Sequence, residues 1–188
     1  MDYPIDLSGV CLETQRLILR PWRQADLDDL YSYASVEGVG EMAGWPHHRS
    51  REESQKILDS FISEKNVFAL VLKETDHVIG SLGLHPSWAA QDDRYKHLKS
   101  KEIGYVLSKE YWGKGLMPEA VKAAISHCFF TCGVDMLTCG HFEENIQSKR
   151  VIEKCGFSFA QKNNYNVEQL QTHLSCLEYI LMRPEAGR

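Results

Sequence analysis

Between Glu102 and Val121 the chain reads Glu-Ile-Gly-Tyr-Val-Leu-Ser-Lys-Glu-Tyr-Trp-Gly-Lys-Gly-Leu-Met-Pro-Glu-Ala-Val, a strand, a glycine loop and a helix start in unbroken succession. Its chemistry is anion binding. Gly113 and Gly115 allow backbone conformations closed to residues with a Cβ, and Pro118 suits the first turn of a helix. Free amides of the loop, the unpartnered N–H groups of the helix start and the positive end of its dipole would together cradle a diphosphate, with Lys114 adding charge. A plain connecting turn uses the same residue types, so the loop alone leaves both readings open. Two familiar phosphate loops are excluded: no Gly-x4-Gly-Lys-Ser/Thr run occurs, and Pro118 occupies the third glycine's place in Gly-x-Gly-x-x-Gly.

A second element follows in Asn145-Ile-Gln-Ser148-Lys-Arg-Val-Ile-Glu-Lys-Cys-Gly156-Phe157. Asn145 is a good N-cap, Val151, Ile152 and Cys155 form a short apolar stripe, and Gly156 suits the left-handed residue after a last helical turn. Ser148 falls in the first turn. It can bond back to the backbone there, or face a ligand.

With these two blocks go Leu12 to Pro21, which reads Leu-Glu-Thr-Gln-Arg-Leu-Ile-Leu-Arg-Pro and precedes an acidic helix, and Val78-Ile-Gly-Ser-Leu-Gly-Leu84. The four ordered blocks resemble the GNAT superfamily of acyl-CoA-dependent N-acyltransferases, most closely its RimJ/RimL branch of ribosomal-protein N-terminal acetyltransferases. The resemblance implies one α/β domain over residues 1–188. It implies a mixed, mostly antiparallel sheet of about seven strands with about four helices, splayed between the Glu102 and Met136 strands to admit acetyl-CoA. Two departures stand out. The superfamily loop Gln/Arg-x-x-Gly-x-Gly/Ala has Trp112 in its first place and Met117 in its last, only Gly115 matching. Where many relatives carry a tyrosine that protonates the leaving thiolate, this chain has Ile152.

Carried over residue by residue, the resemblance gives a cofactor shelf of Val106, Leu107, Ser108, Trp112, Gly113, Lys114, Gly115, Leu116, Met117, Asn145 and Ser148. The backbone amides around Leu107 to Lys109 would polarise the thioester or pair with pantetheine. Glu102 stands where related enzymes place a catalytic glutamate, acting as base directly or through water; the other reading is a solvated carboxylate at the strand start, paired with Lys101 or Lys99. Ser148 is the substitute acid for the missing tyrosine. Asn145 divides between helix cap and pantetheine contact. Freeing a lysine-type amine (pKa about 10.4) of its proton at pH 7 costs about 4.6 kcal/mol, and an α-amine (about 8) about 1.4 kcal/mol, so an α-amine needs less help. The acceptor is an amine, a protein N-terminus or a small molecule; the rival reading is a non-catalytic acyl-CoA sensor or interaction module.

The elements that must position these groups follow from periodicity. Strands are expected at Arg16 to Pro21, Val67 to Leu72, Val78 to Leu84, Glu102 to Leu107, Met136 to His141, Phe159 to Tyr165 and Thr172 to Met182. Helices are expected over Ala25 to Ala34, from Arg51, over Pro118 to Cys132 and over Asn145 to Cys155. Ser50 and Glu53 form a capping box, with Ile57, Leu58, Phe61 and Ile62 as a core-facing stripe. Pro86 to Ser100 reads as a long loop. Trp45 and Trp88 either wall the acceptor pocket or pack in the core, and His47-His48-Arg49 lies in a loop bordering that pocket.

Of the 188 residues 43% are hydrophobic, enough for one sizeable core. The net charge of −5 argues against a nucleic-acid binder and fits a cationic substrate. The six cysteines include no Cys-x-x-Cys pair, so reduced thiols are expected, and the eight histidines show no metal-ligand spacing, so no metal is expected. No apolar run is long enough to cross a bilayer, which gives a cytoplasmic expectation; a self-pairing last strand or helix would make a homodimer.

Overall fold

Val67 to Leu72 is apolar at every position, the pattern of a strand covered on both faces. In the computed structural model, which describes residues 1–185, alternate side chains of this strand enter two different cores. Phe68, Leu70 and Leu72 point into one. Val67, Ala69 and Val71 point into the other. The remaining elements are arranged about it.

The strands are β1 (Leu12–Glu13), β2 (Leu17–Pro21), β3 (Val67–Leu72), β4 (His77–His85), β5 (Ser100–Leu107), β6 (Met136–Phe142), β7 (Ser158–Val167) and β8 (Thr172–Met182). They form one sheet in the order β1-β2-β3-β4-β5-β6-β8-β7, antiparallel throughout except for β5 with β6. Eight strands stand where about seven were expected, the addition being the two-residue β1. The helices are α1 (Leu27–Ala34), α2 (Arg51–Glu64), α3 (Leu116–Ser126) and α4 (Ile146–Lys154). Leu30 and Leu58 of α1 and α2 cover one face of the sheet, and Leu116, Ala120, Val121 and Ile152 of α3 and α4 cover the other. Residues 186–188, the end of the expected domain, lie outside the described residues.

Several local expectations are corrected. Ser50 Oγ accepts the Glu53 amide at 3.3 Å, but the Glu53 carboxylate takes the amide of Arg49 (2.6 Å) rather than that of Ser50, so only half of the capping box forms. Leu58 is fully buried while Ile57 is 38% exposed, which narrows the core stripe of α2. The helix expected over Pro118 to Cys132 begins two residues earlier, and its end widens into a π-turn over His127–Thr131, where the Cys132 amide reaches back to the His127 carbonyl. The Pro86 to Ser100 loop contains a single short 3-10 turn, Trp88–Ala90.

Candidate active site

The parallel pair β5 and β6 is where the sheet comes apart. Only Ser100, Lys101 and Glu102 are in register with Met136, Leu137 and Thr138, although β5 continues to Leu107 and β6 to Phe142. Beyond Glu102 the strands diverge, and a cleft of about 950 Å³ opens between them. It is lined by β5, the glycine loop and α4 towards one end, and by Glu102, Trp88, Phe142, Tyr165 and Glu178 towards the other.

The glycine-loop end is built from backbone. Gly113 and Gly115 have φ of +76° and +75°, a region that charges a residue with a Cβ about 1–2 kcal/mol. Space is not the reason for either glycine, since a Cβ on Gly113 would meet nothing within 4 Å and one on Gly115 only Arg16 at 3.7 Å. The conformation turns the loop into α3 with Gly115 as N-cap and no side chain capping it. Among the described residues, the amides of Gly113, Lys114 and Gly115 have no intramolecular acceptor, which leaves them for an anion. Arg16 fixes the loop from behind: its guanidinium donates to the Lys114 carbonyl (2.9 Å) and pairs with Glu119 in α3 (2.7 Å). The Trp112 indole N–H donates to the Leu107 carbonyl (2.7 Å), tying the loop to the end of β5. Trp112 thus has a structural task at the place where the superfamily pattern has Gln or Arg.

Asn145 is the α4 cap, its side-chain oxygen accepting the Ser148 amide at 3.1 Å, and its side-chain amide donates to the Met42 carbonyl at 3.1 Å. One residue therefore holds both the helix and the loop that closes the cleft's rim. That loop is braced by Glu41, which accepts from the amides of Gly38 and His47 and pairs with the His47 ring. Burial alone would raise the Glu41 carboxyl, but these hydrogen bonds outweigh it and hold it down at about 2. Ser148 Oγ lies 2.8 Å from the Tyr105 hydroxyl, and both residues line the cleft. Burial pushes the Tyr105 hydroxyl well above its usual value, so it is a neutral donor at physiological pH.

At the other end Glu102 is half-buried at the fork of the two strands. Burial first, and then the negative charge of Glu178, push its carboxyl up to about 7, against the Thr138 hydroxyl that donates to it at 3.4 Å. Thr138 is in turn bonded to Ser87 (2.9 Å). Glu178, on β8 opposite Gly140, is 3% exposed, and Tyr165 donates to one of its oxygens at 2.8 Å. A carboxyl near 7 beside bound substrate is matched to proton transfer at neutral pH.

The cleft gathers Glu102, Val106, Leu107, Trp112, Gly113, Gly115, Leu116, Met117, Asn145 and Ser148 from the residues singled out in the sequence. Two are elsewhere. Ser108 borders a separate depression, and Lys114 points its ammonium over the Tyr111 ring (5.0 Å), outside the cleft lining. Trp88 walls the cleft, whereas Trp45 packs against His48 and the α1–α2 core. His48 is buried and bonded to Ser54 (2.7 Å), so the His47 to Arg49 segment braces its own loop instead of facing the cleft. Ile152 is 1% exposed in the core. Sequence reasoning missed Tyr105, Tyr165 and Glu178. For Glu178 a signal existed, a lone carboxylate inside the apolar run Cys176-Leu-Glu-Tyr-Ile-Leu181.

The comparisons with known proteins agree with this geometry. Residues 16–158 match the family model described as the acetyltransferase (GNAT) domain. An uncharacterized N-acetyltransferase of Bacillus subtilis, YoaA, is 29% identical over 151 residues, 78% of this chain and 81% of that protein. Among solved structures, a GNAT-family acetyltransferase from Bacillus anthracis superposes with a TM-score of 0.79 at 18% identity, over 93% of this chain and 99% of that one. A spermidine N-acetyltransferase from Vibrio cholerae, solved with CoA and spermine, gives 0.73 at 15% identity, over 90% and 97%. With the parted strands and the glycine loop falling inside the matched segment, the chain belongs to the GNAT family of acetyltransferases.

Proposed function

We propose that the protein transfers the acetyl group of acetyl-CoA to a primary amine by direct attack within a ternary complex. The observation that carries this reading is a carboxyl raised to about 7 in the same cleft as a row of loop amides that have no intramolecular acceptor among the described residues. The residues present suit the cosubstrate: the loop amides and the start of α3 would take the pyrophosphate, and the gap between β5 and β6 is bordered by extended backbone for pantetheine. Acetyl-CoA supplies the activated thioester.

Glu102 accepts the proton of the attacking amine, directly or through a water. Because burial and the charge of Glu178 raise its pKa to about 7, the mismatch with an amine is smaller than for an ordinary glutamate. Ser148 and Tyr105 act together at the departing sulfur. A thiol with pKa about 8.5 leaves without full protonation, so this pair is asked for only about one or two orders of magnitude. The Tyr105–Ser148 contact gives a hydroxyl donor from β5 in place of the tyrosine that Ile152 replaces on α4.

The four sequence blocks support the RimJ/RimL branch, and with it a protein N-terminus as acceptor; a small-molecule amine is the second reading, favoured by the two carboxylates, Glu102 and Glu178, that line the cleft. A reducing, cytosolic setting belongs to the same proposal, supported by six unpaired cysteines, four of them buried. Release of CoA thiol from acetyl-CoA, followed with DTNB against a panel of peptides and small amines, tests the reading. Turnover with one acceptor class, abolished in Glu102→Gln, is expected. CoA binding without turnover on any amine would instead favour an acyl-CoA sensor.

A further inference from the structure

Three segments of the chain meet where β5 and β6 part. Glu102 and Thr138 are the last residues in register between those two strands, and Ser87 comes from the loop after β4, whose own pairing with β5 ends at His85 opposite Glu102. Thr138 is fully buried and Ser87 is 4% exposed. Away from water, each hydroxyl has only protein partners, and the direction of every bond between them can be assigned.

Ser87 Oγ accepts the Ala89 amide at 3.1 Å and lies 2.9 Å from Thr138 Oγ1, with no further partner among the described residues. Its single proton therefore goes to Thr138. The proton of Thr138 is then left for Oε2 of Glu102 at 3.4 Å. Donation runs one way, from Ala89 to Ser87 to Thr138 to Glu102. A backbone amide stands at the head of this chain and gives up no proton, so the chain aims a donor at the carboxylate without carrying protons away from it.

The other neighbours oppose an ionised Glu102 or leave it alone. Burial strips the carboxylate of water, and Glu178 on β8 adds a second negative charge. Tyr165 of β7 spends its hydroxyl on Glu178. From β4 the His85 ring lies 3.2 Å from where a Cβ on Gly104 would stand, and burial lowers its pKa, so it is neutral at neutral pH. Glu64 of α2 acts on that ring and not on Glu102. Lys101 points to the opposite face of β5 and pairs with Asp2 at 2.8 Å. Among the described residues, the Thr138 hydroxyl is the one group that hydrogen-bonds to Glu102.

Resting on the acetyl transfer proposed above, we propose that Thr138 is a positioning residue for that reaction, its hydroxyl directed by Ser87 to hold Oε2 of Glu102 and leave Oε1 to the attacking amine. A donor on Oε2 favours the ionised carboxylate, which is the form that takes the proton. Ser87 also caps the short turn that carries Trp88, a wall of the cleft, so the same chain ties the base to that wall. Once Oε1 holds the proton of the amine, that proton leaves through the cleft, because the chain behind Oε2 is closed.

The test follows the Glu102 carboxyl by carbon-13 NMR against pH, with its signal assigned by its loss in Glu102→Gln, alongside the pH profile of thiol release. Thr138→Val keeps the shape and deletes the hydroxyl. Its midpoint is expected to rise by about one pH unit, an about tenfold loss of ionised base below the limb, with the rate limb moving equally and the KM for acetyl-CoA unchanged. Thr138→Ser should bring both back to within about 0.3 of a unit of the unaltered protein. Ser87→Ala leaves Thr138 its hydroxyl but removes the donor behind it, and should move the midpoint the same way by less. An unmoved midpoint in folded Thr138→Val overturns the inference, as do equal shifts in the valine and serine variants; where the valine variant does not fold, an unmoved midpoint in Ser87→Ala overturns it. The midpoint requires no turnover, so an unaltered protein that acetylates no amine would overturn the acetyl-transfer reading separately.

Discussion

The two ends of the cleft are made in different ways. The glycine-loop end is contiguous in sequence and built largely from backbone: amides, two left-handed glycines and a helix start. The carboxylate end is assembled from single side chains on β5, β7 and β8 and on the segment before β5, brought together by strand register alone. An end made of backbone tolerates exchange of many side chains but not of conformation; an end made of side chains is the reverse. Substitutions should therefore separate the two.

The largest effect is expected at the carboxylate end. Glu102→Gln should lower kcat/KM by about 10² to 10⁴, with the dissociation constant of CoA unchanged by calorimetry. In the parent enzyme the rate should rise with pH through about 7 as the base ionises, and the variant should lose that limb. Stability moves the other way. A carboxyl whose folded pKa is raised above its unfolded value holds its proton more tightly when folded, so its contribution is present below about 4.5 and is lost as pH rises towards about 7. Glu102→Gln should then be the more stable form at pH 8, by at most about 3.4 kcal/mol, with little difference at pH 4 in thermal melts.

At the backbone end, Gly115→Ala places a Cβ at φ +75° and should cost about 1–2 kcal/mol, read as roughly a tenfold rise in the KM for acetyl-CoA with the acceptor KM unmoved. If both constants rose together, the division of the cleft would be wrong. Ser148→Ala and Tyr105→Phe should each reduce kcat by about tenfold, and the double substitution by little more than either, since the two hydroxyls act as one donor. Lys114→Ala should change the KM for acetyl-CoA by less than about twofold, because its ammonium rests on Tyr111 instead of facing the cleft. A large effect there would show that bound cofactor draws the lysine in.

The same contrast explains what could be read from the chain. A left-handed glycine, a capping asparagine and a helix start are local requirements, so Gly113, Gly115, Asn145 and Gly156 announce themselves by type and spacing. The loop's conformation was legible; its side chains were less so. Trp112 and Lys114 were both expected on the shelf, yet where each points depends on partners, Leu107 and Tyr111, that spacing does not encode. Glu102 was found through a resemblance, and its raised pKa only through its burial and Glu178. Tyr105 and Tyr165 are ordinary strand tyrosines until register carries their hydroxyls to Ser148 and Glu178. Ile57 failed because an apolar stripe on α2 is wider than the surface it covers.

The parting of β5 and β6 after three paired residues also bears on the life of the protein outside catalysis. A sheet opened in its middle is an incomplete sheet, and whatever fills the gap is part of the fold. Occupancy at a hundred times the dissociation constant would add about 2.7 kcal/mol, a sizeable share of a small domain's total stability. The abundance of the folded chain would then follow the supply of its cosubstrate, and starvation for acyl groups would thin the enzyme before any regulator acted on it.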